Sequence, residues 1–159
     1  MNRQRTARIL AIVSSLAIVV ITGFIREFTF VNINEQLAYL YYDHDVSGMS
    51  QILGFLDGLS YNQLYWFKWI LTPAFAAVFW LETMHCLKQL FGDYSFKEVS
   101  FLFIVLFSAA IILFGSLWIL DSAANGYTQA LFIMHLAQSP FPLMLLIPAM
   151  LLKGQKINI

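Results

Sequence analysis

The sequence predicts an all-α integral membrane protein with four transmembrane helices and an outer interfacial helix in the first loop. Three observations carry that expectation. The 159 residues are 60% hydrophobic and only 11% charged, with a mean hydropathy of +0.72, whereas soluble domains carry about a quarter charged residues. A chain this apolar has too little polar surface to cover itself in water, so lipid is its expected solvent. The apolar residues fall in four stretches, near 9–25, 64–86, 99–120 and 128–152. Finally, the lysines and arginines are unevenly divided between the segments that join those stretches.

Ile9 to Ile25 is free of charge and follows Arg3, Arg5 and Arg8. The basic start resembles a signal peptide, but "ITGFIREF" stands where a small-residue cleavage site belongs, so the segment reads as an uncleaved first span. The second stretch, 64–86, carries Lys68 near one end and Glu82 with His85 near the other. Lysine can snorkel to the interface, where Tyr65, Trp66 and Trp69 suit an aromatic belt. Val99 to Leu120 is uncharged and the cleanest span. The fourth, 128–152, lacks formal charge but holds Pro140, Pro142 and Pro148.

Orientation follows from the cations. With the N-terminus inside, the inner segments hold Arg3, Arg5, Arg8, Lys88, Lys97, Lys153 and Lys156, and the outer side holds only Arg26 and Lys68. The bias predicts a multi-pass membrane protein with both termini cytoplasmic. "KQLFGDYSFKEV" is a short inner connection, and "DSAANGY" reads as a tight outer turn around Asn125-Gly126. The first outer loop, 27–62, is long. Within it Met49, Ile52, Leu53, Phe55, Leu56 and Leu59 recur at helical spacing, which predicts a short amphipathic helix on the outer interface. The length accommodates a single membrane domain over 1–159. Zero net charge gives no reason to expect nucleic acid as a partner, and the lone Cys86 excludes an internal disulfide.

Few residues bear chemistry. Glu82 and His85 lie at i and i+3 on one helical face, the local motif of di-iron carboxylate bundles. Those sites need a second copy and two further carboxylates, and no other span has an interior carboxylate. No metal, cofactor or catalytic residue is therefore assigned; an interfacial or interhelical bond for Glu82 is the simpler expectation, and an enzyme using Glu82 and His85 as an acid-base pair ranks last among the alternatives. Cys86 and His85 are consecutive and point about 100° apart, unlike a nucleophile and its base. His135 lies about 25 Å from the inner end of its span and Glu82 about 9 Å, so the two are not expected to meet. Asp43, His44 and Asp45 read as a solvated turn, and Arg26-Glu27 as an interfacial pair.

The prolines single out the fourth span. Pro140 and Pro142 deprive the carbonyls of Leu136 and Gln138 of their helical donors, and Pro148 does the same to Met144. In lipid these groups need replacement partners, and Gln138 and Ser139 are placed to supply them or to bond a neighbouring helix. Broken helices also form transporter sites, usually in pairs across two halves. Here only Pro73 could answer, which favours a packing or partner-docking element. Gln138, Ser139, Pro140, Pro142, Glu82, His85 and Arg26 are the candidates for such contacts.

"YTQALFIMHLAQSPFPLMLLIPAMLL", with "FKWILTPAF" and "LKQLF" before it, resembles the small exosortase-associated membrane proteins of Bacteroidota. The resemblance spans roughly Tyr65 to Leu152 and is sharpest over Gln138 to Ala149. It implies an inner-membrane protein linked to an exosortase, a multi-pass cysteine transpeptidase that processes carboxy-terminal sorting signals. The partner would supply the nucleophilic cysteine, so His85-Cys86 is not assigned that role. The resemblance thus implies a non-enzymatic accessory subunit in protein sorting, partnered by the lipid bilayer and a larger exosortase-like protein. The alternative is a small oligomeric transporter or channel component built on the proline-broken span.

Overall fold

A computed structural model describes residues 3–42, 47–92, 96–119 and 123–157, without the side chains of residue 4 and of 117–127. The described chain is built of helices: α1 (Arg3–Tyr42), a 3-10 helix (Gln51–Leu56), α2 (Tyr61–Phe91), α3 (Phe96–Ile119), α4 (Ala123–Ala137) and α5 (Phe141–Leu152). Three are long and apolar enough to cross a membrane, and α4 with α5 meets the same test as a pair bent by 58°. Apolar side chains such as Leu10, Phe24, Phe101 and Ile111 point outward, the arrangement favoured by a lipid solvent.

α1 runs well past the expected end of the first span. The expected outer loop 27–62 is helical as far as Tyr42, and α2 already begins at Tyr61. The physical reason lies in the residues: the 40-residue segment contains no proline and one glycine, Gly23. Val19, Arg26, Phe30, Ile33 and Leu37 are buried along it, at the three- and four-residue spacing of one helix face. At 1.5 Å per residue α1 is about 60 Å long, twice the hydrocarbon thickness of a bilayer.

α2 returns antiparallel along α1. The Tyr41 ring meets that of Tyr61 at a tilt, Lys68 bonds Asn34, Phe30 meets Phe75, and Thr22 bonds Glu82. Gln63 Oε1 secures the start of α2 by accepting from the amide and hydroxyl of Ser60. Gly92 ends α2 at φ 78°, its amide donating to the Lys88 carbonyl, a left-handed cap natural to glycine.

The expected amphipathic helix is reduced to the six-residue 3-10 helix, with Gly48 before it and Gly58 after it outside regular helix. It folds back on the α1–α2 hairpin. Leu56 enters a cluster with Ile33, Leu37 and Leu64, while Ile52 and Phe55 point outward. Ser50 N donates to Asn32 Oδ1, and Ser47 Oγ donates to Gln36 Oε1. The Asp43, His44 and Asp45 turn lies outside the described residues.

A larger cluster forms the other end of the molecule. Val19, Phe79, Leu87, Val99, Phe103, Leu143, Leu146 and Met150 join α1, α2, α3 and α5. Lys153 Nζ pairs with Glu98 Oε1 at 2.5 Å, so the end of α5 reaches the level of the first turn of α3. Asn125 and Gly126 do not form the expected turn: both lie within the first turns of α4.

Candidate functional site

One face of α1 carries the polar groups that tie the helices together. Thr22 and Arg26 are four residues apart and so one above the other on that face. Thr22 Oγ1 donates to Glu82 Oε1 of α2 at 2.5 Å. Arg26, 5% exposed, donates from Nε to Gln138 Oε1 at 3.2 Å. Its Nη1 meets Glu27 Oε2 at 2.7 Å, and its Cζ lies 4.8 Å from the centre of the Phe30 ring. A buried guanidinium is costly unless its charge is balanced and its donors are used. Here an acidic neighbour, an amide oxygen and an aromatic face share that task.

Gln138 is buried at 2% exposure and is used at both ends. Its Oε1 accepts from Arg26, and its Nε2 donates to the Thr72 carbonyl of α2 at 2.7 Å. A single amide thus binds α1, α2 and the α4–α5 break. Ser139 serves the break itself. Its hydroxyl donates to the Leu136 carbonyl at 2.8 Å, the carbonyl that Pro140 strips of its helical donor. The same oxygen accepts from Phe141 N at 3.2 Å, one of the orphan amides at the start of α5. Pro142 fits there because the first turn of a helix needs no amide donor from it. Ser139 thus bonds the carbonyl that Pro140 leaves without a helical donor, whereas Gln138 bonds the neighbouring helices α1 and α2 instead.

Glu82 and His85 do not form a site with each other. Glu82 is half-buried against Thr22, and His85 is exposed. Cys86, beside it in sequence, points into the core. Glu82 Oε2 is buried with no hydrogen-bond partner among the described residues. His135 is exposed near the end of α4. Among the described residues no three His, Cys, Asp or Glu side chains converge as metal ligands would.

Sequence reasoning missed Thr22, the Thr72 carbonyl and Asn34 as partners. Thr22 and Arg26 had a readable signal, since both fall on the stripe that continues through Phe30, Ile33 and Leu37. The Thr72 carbonyl had none, because every residue has one.

Compared with protein-family profiles, curated proteins and solved structures, the chain finds no match.

Proposed function

We propose that this chain is a non-enzymatic accessory subunit of a bacterial inner-membrane complex, docked on a larger multi-pass protein of an exosortase-type sorting system. In this reading α1, α2, α3 and the α4–α5 pair are four spans, with both termini cytoplasmic. The observation that carries it is the inward use of the polar side chains. Glu82, Gln138 and Ser139 are each committed to a helix tie or a helix break, so they build a frame instead of a reacting centre. The 58° bend fits one broken span, because a re-entrant loop would have to turn the chain back on itself.

The docking face then shifts from Gln138 and Ser139, which turn inward, to α3. A Cβ at Gly115 would meet nothing within 4 Å, and Ser116 beside it is exposed. Small residues let neighbouring helices approach closely in lipid. Purification in a mild detergent followed by mass spectrometry tests the proposal. An exosortase-like polypeptide should accompany the wild-type chain and be lost from Gly115→Phe. A solitary chain, under conditions that keep other membrane complexes whole, would defeat it.

The break between α4 and α5 also favours a second reading, a small oligomeric transporter or channel element. Arg26 and Thr72 already occupy the polar groups of Gln138, which weighs against a solute path there. Flux through proteoliposomes that persists unchanged in Gln138→Leu, Ser139→Ala would remove those side chains from transport.

A further inference from the structure

Two hollows line up between α2 and the α3–α4 hairpin. The first, about 330 Å³, has Lys68 at one end and is otherwise walled chiefly by apolar side chains, among them Ala110 and Phe114 of α3. The second, about 320 Å³, runs on past Ala77 toward Trp80 and Ser100. Pro73 and Phe107 line both, so the hollows meet there and form one groove. Along α2, Lys68 to Trp80 spans about 18 Å, close to the ~15 Å hydrocarbon depth of a single leaflet.

We propose that this groove binds one acyl chain of an anionic phospholipid, with Lys68 holding the phosphate at its mouth. Two observations choose that occupant. The first is charge: among the described residues the one basic group lining the groove, Lys68, stands at its end, beside the aromatic cluster of Tyr65, Trp66 and Trp69 that suits headgroup level. Lys68 Nζ donates to Asn34 Oδ1 at 2.7 Å, which aims the ammonium, and among the described residues its other two donors are left for phosphate oxygens. The second is shape: two apolar hollows in line, with Pro73 and Phe107 shared between them, suit a flexible hydrocarbon chain better than a rigid helix of constant ~10 Å width. The proposal requires only that these helices cross a bilayer, and it is independent of the accessory role.

Native mass spectrometry of the full chain, titrated with phosphatidylglycerol or phosphatidylcholine of equal chain length, provides the test. One bound phosphatidylglycerol is expected, held about fivefold more tightly than phosphatidylcholine, the effect of one lysine near a membrane surface. Lys68→Gln keeps a donor for Asn34 and should abolish the headgroup preference while leaving chain binding intact. Ala77→Phe fills the exposed wall of the second hollow and should weaken both lipids equally. Equal binding of the two lipids by the wild type, or an unaltered preference in Lys68→Gln, would overturn the assignment. A photo-crosslinking residue at position 77 in native membranes gives a second readout that needs neither variant. A lipid adduct supports the proposal, and a polypeptide adduct refutes it by showing a partner helix in the groove.

Discussion

At the scale of single residues, the frame depends on buried polar groups whose partners are few and whose apolar surroundings offer none. Thr22 is the donor to Glu82 Oε1, and Glu82 Oε2 has no partner among the described residues. Thr22→Val should therefore destabilise the fold by about 1–3 kcal/mol, the cost of leaving a buried polar group without its bond. Replacing both partners by apolar groups removes the cost with the bond, so Thr22→Val, Glu82→Leu should return to within about 1 kcal/mol of wild type. Unfolding in detergent by a denaturing surfactant measures the cycle; strictly additive effects would show that the two side chains do not interact. Gln138→Leu strips an acceptor from buried Arg26 and a donor from the Thr72 carbonyl at once. Its loss, about 2–4 kcal/mol for two bonds of which one is charged, should exceed that of Ser139→Ala, where only local bonds at the break are lost. The reverse order in the same assay would place the main tie at Ser139.

At the scale of elements, the two apolar clusters lie at opposite ends of the α1–α2 hairpin and share no member. Leu56→Ala should cost about 2–5 kcal/mol within its own cluster. Hydrogen exchange should then quicken around Ile33 and Leu64 and stay unchanged around Phe79 and Phe103; uniform quickening would show a single cooperative unit. The elements differed in how legible they were. The span 99–120 matches α3 closely because an uncharged run and a helix coincide there. The end of α1 was misplaced because hydropathy marks where lipid ends, whereas a helix ends only where its backbone is broken or capped. Arg26-Glu27 changes the first and does nothing to the second. The break in the fourth segment was readable from Pro140 and Pro142, since a missing donor is a covalent fact. Its 58° angle was not, being set by how α5 packs on α2 and α3. Of the site, the residues Gln138, Ser139, Glu82 and Arg26 were legible as polar groups in an apolar setting. Their pairing was not, because it depends on the register of α1 against α2.

At the scale of the whole molecule, the length of α1 sets the depth at which everything else sits. Arg26 bonds Gln138 at the break of the α4–α5 pair, so in a four-span reading it lies within the membrane and the outer interface falls beyond it. Lys68, bonded to Asn34, suits that interface. Arg8 to Asn34 is about 39 Å along the helix, close to the thickness of a bilayer with its headgroups. If Asn34 and Lys68 mark headgroup level, the helix continues about 12 Å further to Tyr42, and the tip of the α1–α2 hairpin projects from the membrane with the 3-10 helix folded against the hairpin. Phe24, Val31 and Tyr41 are all exposed on α1, so each can carry a spin label with little disturbance. In a Cys86→Ala background and reconstituted bilayers, a label at position 24 should be relaxed by oxygen, which concentrates in lipid. A label at position 41 should be relaxed by a water-soluble nickel chelate, with the crossover near position 31. If α1 instead lies along the surface beyond Asn34, the label at position 41 will stay accessible to oxygen and shielded from the chelate. The 3-10 helix would then be an interfacial element, and its exposed Ile52 and Phe55 would be lipid contacts.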